Sequence, residues 1–436
     1  MAAAWLLADR HRVTVYEQAD RLGGHSNTVT VEGPNGSVAV DTGFIVYNER
    51  TYPNLAALFR HLGVATRPSS MSFAVSLDDG ALEYSGSGAN GFFGQRRNLL
   101  RPGHWRMLRD ILRFYRDAPA LIGGDIDRSD PAISLGDYLQ SRGYSREFCD
   151  DHLLPMAAAI WSTPIDRVSD HPAAEFIRFC ANHGLLAMRN RPQWRTIVGG
   201  SREYVRRLTA RYADRFRLNS LVTRIKRSGA NVFVADRSGT VERFDHVVVA
   251  THADQALGLL DDPSPAEAEL LGAFRYQSNV AVLHRDQRFM PKRSAVWSSW
   301  NYLGHRDPTA AARLSVTYWL NRLHGIAEVD PLFVTLNPAR PPRPDSQLGV
   351  ISYEHPVIDA AATRAQRRLW QLQGVGNTWF CGAYFGAGFH EDGLRSGLAV
   401  AEAIGGVRRP WRLDRDTYGV HGETAATDSR SLETVR

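Results

Sequence analysis

The sequence predicts an α/β fold: a Rossmann-like domain cut into pieces along the chain and interleaved with an α+β domain. Three observations predict it. A short β-branched and aromatic run, Val13-Thr14-Val15-Tyr16-Glu17, ends in an acid and follows an apolar, uncapped stretch at residues 2–8. In mid-chain a second apolar run, Asp245 to His252, ends in small residues. Near the C-terminus a third, Thr378 to Gly382, enters a glycine-rich turn and then a helix with small residues at Ser396, Gly397 and Ala401. Short apolar strands alternating with helical stretches are the pattern of a parallel sheet. The 436 residues suffice for two or three domains.

Composition removes several function classes. Hydrophobic residues make up 43% and charged residues 22%, the balance of a globular chain. The formal charge is +6, but only Lys226 and Lys292 are lysines, and the arginines are spread among acids rather than gathered on a stripe. That excludes nucleic acid as a partner. Cys149, Cys180 and Cys381 lie far apart without CxxC spacing, so neither a disulfide framework nor a zinc site is expected, and a reducing, cytoplasmic setting is. No apolar run approaches the roughly 18–20 residues of a membrane span. The histidines show no HExxH spacing, no Gly-x-Ser-x-Gly turn occurs in a plausible context, and no metal site is expected.

In chain order, residues 2–8 read as a buried helix, Arg10-His11-Arg12 as a turn, and Val13–Glu17 as a strand. Together they form the second half of a βαβ dinucleotide-binding unit. Glu17 then stands where an acid accepts ribose hydroxyls, about 20 residues after a glycine fingerprint. That fingerprint falls before Met1, so a chain longer by about 30 residues at the front is expected. In Arg21-Leu22-Gly23-Gly24-His25 the paired glycines let backbone amides approach a pyrophosphate, and Arg21 adds charge. The run Val38 to Phe44 adds a strand and Gly43, against which a flat ring can lie. Val198-Gly199-Gly200-Ser201 precedes a helix at 203–212, with strands at 218–225 and 232–235.

Between these pieces, residues 100–190 read as helical and 274–356 as strand-rich, with strands at 279–284, 295–302, 314–320 and 333–336. Trp297, Trp300, Tyr302, Tyr318 and Trp319, with Tyr384 from the C-terminal turn, are candidates for the wall of an apolar pocket; ordinary sheet core is the other reading. The division is 1–75, 195–270 and 370–410 for the dinucleotide domain, 76–194 and 271–369 for the substrate domain, and 411–436 for a polar tail.

The run Asp41 to Leu55, and Gly382 to Gly393 leading into the last helix, resemble the flavin-containing amine oxidase superfamily. More narrowly they resemble a bacterial NAD/FAD-binding branch of it, and the likeness extends to about residue 410. The resemblance implies FAD as cofactor and a substrate-domain sheet of about six strands. It implies that Glu17, Arg21, Gly23, Gly24, His25, Gly43, Phe44, Val222, Gly382, Glu391, Asp392 and Gly393 hold the cofactor, Val222 through its backbone; for Glu391 and Asp392 the other reading is a helix cap, with the backbone rather than the side chain at the cofactor. It further implies an FAD-dependent oxidoreductase taking hydride from a lipophilic substrate, a lipid or fatty-acyl compound. With that come peripheral membrane contact and a functional link to a cyclopropane fatty-acid synthase. The alternative is a flavin-binding accessory protein that presents lipid to such an enzyme without its own turnover. Two departures stand out. The family's lysine near the flavin falls at Asn279, with Lys292 beyond the strand, and His25 stands where arginine is usual. No catalytic side chain is assigned.

Overall fold

The computed structural model describes residues 1–123, 133–161, 168–187, 191–306 and 315–413. The helix Ala2–Leu7 buries Ala3, Trp5, Leu6 and Leu7 and lies across the long helix His390–Ile404. The crossing is close because residue 397 is glycine: a Cβ there would lie 3.3 Å from Ala2 Cβ and 3.4 Å from the Ala3 nitrogen. Strand Val15–Tyr16 pairs in parallel with Phe216–Arg217, and Val247–Val249 pairs in parallel with Thr378–Phe380. Segments far apart in sequence therefore share one core, in which Trp5 and Leu6 pack with Leu55, Tyr204, Leu208 and Leu398.

A buried carboxylate ties two of the pieces together. Asp41, fully buried at the end of strand Gly36–Asp41, accepts from Thr28 Oγ1 at 2.6 Å. It also accepts from the Ser201 backbone N–H at 2.9 Å and the Ser201 hydroxyl at 2.7 Å. Such satisfaction is what makes a buried charge tolerable.

The second domain is a seven-stranded sheet. Its order is Gln347–Val357, Arg275–His284, Phe333–Leu336, Ser315–Trp319, Trp300–Gly304, Phe73–Leu77 and Leu82–Ser85. Every pairing is antiparallel except that of Trp300–Gly304 with Phe73–Leu77. Helices Pro102–Asp117, Leu135–Ser141 and Ala173–Asn182 cover it through Phe114, Leu135, Leu139 and Phe176.

The differences from the sequence expectations have local causes. The sheet has seven strands because Phe73–Leu77 and Leu82–Ser85 join it, and the former spans the expected boundary at residue 75. The expected strand at 295–302 begins only at Trp300, because Ser294–Val296 makes a 3₁₀ turn and the Trp297 Nε1–H donates to the Pro291 carbonyl at 2.7 Å. The longest strand, Gln347–Val357, carries Pro356 and lies at the sheet edge, where a missing N–H is tolerated. The expected tail is docked at its start: Trp411 stacks on Trp5 at 5.9 Å, while residues 414–436 lie outside the described residues. No helix among the described residues is long and apolar enough to cross a membrane.

Candidate active site

A cavity of about 2450 Å³ runs from the parallel strands of the first domain to the helices of the second. One wall is built mainly of backbone. Glu17 follows strand Val15–Tyr16; one of its oxygens accepts from the Ala19 N–H at 2.9 Å, and no described residue donates to the other. Gly23 and Gly24 take φ of +117° and +56°, the left-handed region that side chains disfavour. A Cβ on Gly23 would also meet the Ser26 carbonyl at 2.6 Å. Arg21 is held by the Gly24 carbonyl at 3.0 Å, and its Nη1 is buried with no partner.

Gly43 lies against the backbone of His25. A Cβ would come within 2.3 Å of the His25 carbonyl oxygen, which already accepts the Phe44 N–H at 2.8 Å. The Phe44 ring stacks on His390 at 4.1 Å. Val222, at the start of a three-stranded antiparallel meander, also lines the cavity. So do Gly382 and Gly393. The Ser396 hydroxyl stitches that turn to the helix, accepting the Gly382 N–H at 3.0 Å and lying 3.1 Å from the Gly393 carbonyl.

Glu391 and Asp392 do not line this wall. Helix starts carry orphan amides, and both carboxylates are spent on them. Glu391 accepts the Asn54 and Leu55 backbone N–H groups of helix Pro53–Leu62, at 2.9 and 3.0 Å. Burial pushes its carboxyl up to about 7. Asp392 accepts the Phe389 N–H at 3.0 Å at the start of its own helix, and burial raises its pKa too. Of the two readings of Glu391 and Asp392, cofactor ligand or helix cap, the hydrogen bonds of both side chains are those of caps.

The opposite wall is built of side chains. Trp300 and Tyr318 line it, whereas Tyr384, also on the cavity, follows Gly382 and packs in the first domain's core with Val249, Phe274 and Ala399. Trp300 and Tyr318 are register partners on adjacent strands, their rings 5.0 Å apart edge to face. Trp297 and Tyr302 are corrected to core. Trp297 packs edge-on against Trp319 at 5.4 Å with Phe333 and Met290 behind, and Tyr302, two residues beyond Trp300, is closed over by the helical layer. Tyr84, Tyr115, Met156, Ile160, Phe179 and Leu185 continue the cavity as an apolar arm.

Sequence reasoning missed the histidines apart from His25. His152, His183, His252, His355 and His390 line the same cavity. Burial lowers all of them, His25 to about 3 and His152, His183, His355 and His390 to about 4, so these rings are neutral near pH 7. They come from separate elements with no common spacing, so no linear signal marked them. Among the described residues no cluster of ligating side chains could hold a metal.

Charge is uneven along the cavity. Among the described residues its lining acids are Glu17, Glu242, Asp245 and Glu354; none comes from the described helices of the second domain or from the aromatic strands, whereas Arg191 and Arg322, from the segments that follow them, line it too. Glu242 is bound to Arg217 and to the Tyr16 hydroxyl, both at 2.6 Å.

These features fit a dinucleotide: an acid with a free oxygen, an unpaired buried guanidinium nitrogen, and glycines whose Cβ atoms would crowd the turns. Residues 1–326 match the model of the flavin-containing amine oxidoreductases, and the chain belongs to that family. Its cofactor is FAD. Over 281 residues the chain is 28% identical to AofH of Mycobacterium tuberculosis, assigned as a flavin-containing monoamine oxidase. The match covers 62% of this chain and spans 58% of the length of that relative. Among solved structures, putrescine oxidase bound to putrescine superimposes with a TM-score of 0.63 at 17% identity, covering 92% of this chain and 96% of that one. Cyclohexylamine oxidase from Brevibacterium oxydans gives 0.62 at 17%, with the same coverage of both chains. A fatty acid isomerase from P. acnes that produces CLA gives 0.61 at 14%, covering 91% and 93%. At these identities the likeness to the solved structures is one of fold.

Proposed function

We propose that the protein is an FAD-dependent oxidoreductase that takes hydride from a lipophilic small molecule, a lipid or fatty-acyl compound. The continuity of one cavity carries this reading: the glycine-lined wall beside Glu17 and the apolar arm beyond Trp300 and Tyr318 enclose a single space. FAD, when bound, supplies the hydride acceptor. Glu17 holds the ribose and Arg21 the diphosphate, while the backbone at Gly23, Gly24, Gly43, Val222, Gly382 and Gly393 cradles the rest. Trp300, Tyr318 and the arm align an apolar chain and exclude water from it.

Charge supports an acyl compound over an amine. Among the described residues of the arm no carboxylate is present to pair with a protonated amine, and the Arg191 guanidinium lies beside the arm's Tyr115. A membrane surface or a cyclopropane fatty-acid synthase would be a natural source of such a substrate. Three unpaired thiols suit a cytoplasmic setting. The test is anaerobic mixing of FAD-loaded protein with acyl lipids, polyenes and amines, read by flavin absorbance. Bleaching by an acyl lipid supports the proposal and bleaching by amines alone overturns it. Lipid binding without any bleaching identifies the protein as an accessory to another enzyme.

A further inference from the structure

Asn279 is fully buried in strand Arg275–His284, opposite Tyr353 and two residues from the pairing of Gln277 with His355. Its amide orientation is fixed from two sides. The Asn337 side chain accepts the Val280 backbone N–H at 2.9 Å, so its nitrogen is the group that donates to Asn279 Oδ1, at 2.7 Å. Asn279 Nδ2 lies 3.1 Å from the Gln277 carbonyl, a position that an oxygen would not tolerate. The same Nδ2 lies 2.9 Å from His355 Nδ1. An amide nitrogen donates only, so Nδ1 accepts and the ring proton sits on Nε2.

His355 lines the cavity, and no described residue accepts its Nε2–H. His25, its ring stacked at 5.3 Å, makes no hydrogen bond through its side chain among the described residues. A second proton on Nδ1 would point at the hydrogens of Asn279, so the amide opposes the charged ring geometrically. Desolvation and the neighbouring His252 act in the same direction.

We propose that Asn279 locks His355 as an Nε2–H donor on the cavity wall, and that this donor selects ligands presenting an acceptor oxygen, a carbonyl or carboxylate, over protonated amines. The selection deepens the oxidoreductase reading and rests on it; the lock does not. An Nε2–H donor on the cavity wall offers no hydrogen bond to an ammonium, which also only donates, whereas an acceptor oxygen takes it. His355 is then a specificity-determining residue, and Asn279, acting through it, a positioning residue.

The lock is tested by ¹⁵N spectroscopy of histidine-labelled protein, with the His355 signal assigned by its loss in His355→Gln. The expected result is an unprotonated Nδ1 and a protonated Nε2 near neutral pH. A signal from protonated Nδ1, or a charged ring, overturns the lock. Selection is tested by titrating FAD-loaded protein with decanoate and decylamine and reading the flavin spectrum. Wild type should prefer decanoate by about tenfold or more. Asn279→Asp, whose carboxylate would draw the ring proton to Nδ1, should erase that preference. Equal binding of the two ligands by wild type, or an unchanged preference in a folded Asn279→Asp, overturns the selection. His355→Phe, which removes the donor, should erase the preference by the same ligand ratio and replaces Asn279→Asp if the latter does not fold; an unchanged preference in folded His355→Phe overturns the selection. The correct tautomer in protein that takes up no FAD would defeat the oxidoreductase reading while leaving the lock intact.

Discussion

The two long walls of the cavity are made of different material. The wall beside Glu17 is main chain held in place by glycine: Gly23, Gly24 and Gly43 leave no room, or no allowed conformation, for a side chain. The facing wall is aromatic rings and imidazoles brought together from a seven-stranded sheet and its helices. Backbone shaped by glycine suits a ligand whose shape never varies. A wall of side chains is changed one residue at a time without disturbing the frame, so specificity resides there.

The largest effect should come from the frame itself. Asp41→Ala removes the acceptor shared by the Thr28 hydroxyl and both donors of Ser201, and should cost about 3–5 kcal/mol in urea unfolding. A loss under 1 kcal/mol would mean that the two sequence segments do not depend on this carboxylate. Next comes Gly43→Ala, whose Cβ collides with the His25 carbonyl. FAD affinity should fall by up to about a hundredfold, the equivalent of ~1–3 kcal/mol of overpacking. Wild-type affinity by fluorescence titration would break the distinction between the walls.

Smaller is the contrast between two tryptophans. Trp300→Ala should weaken binding of an acyl ligand about tenfold and leave FAD binding alone, whereas Trp297→Ala should lower stability but not ligand affinity. Equal effects on the ligand would return Trp297 to the pocket. The smallest effect is on acid stability. The cavity histidines titrate lower in the folded chain than the ordinary 6.5, so their contribution is complete above pH 6.5 and is lost as pH falls toward 4. Melting temperature should decline across that window, and His390→Gln should flatten the decline.

Legibility in the sequence follows the same division. Gly-Gly after an acid, Asp-Thr-Gly after a strand and glycines before a helix are local signatures, because tight backbone leaves its mark within a few residues. Of the twelve expected cofactor residues, ten line the cavity; Glu391 and Asp392 do not, since Glu391 is taken by the first amides of helix Pro53–Leu62 and Asp392 by the Phe389 amide at the start of its own helix. The aromatic wall was half legible. Alternation places Trp300 and Tyr302 on one face but does not say where the helices close over it, and that decides which ring is core. His355 was not legible at all: it sits in an edge strand, and its role depends on an amide 76 residues away. Only the displaced lysine position drew attention to Asn279.

The central claim is that the two walls enclose one flavin and one acyl chain. Anaerobic titration of FAD-loaded protein with a fatty-acyl compound, with decylamine in parallel, tests it most directly. Loss of flavin absorbance with the acyl compound and none with the amine is the predicted result. Reduction by the amine alone, or failure of the chain to take up FAD at saturating concentration, would contradict it.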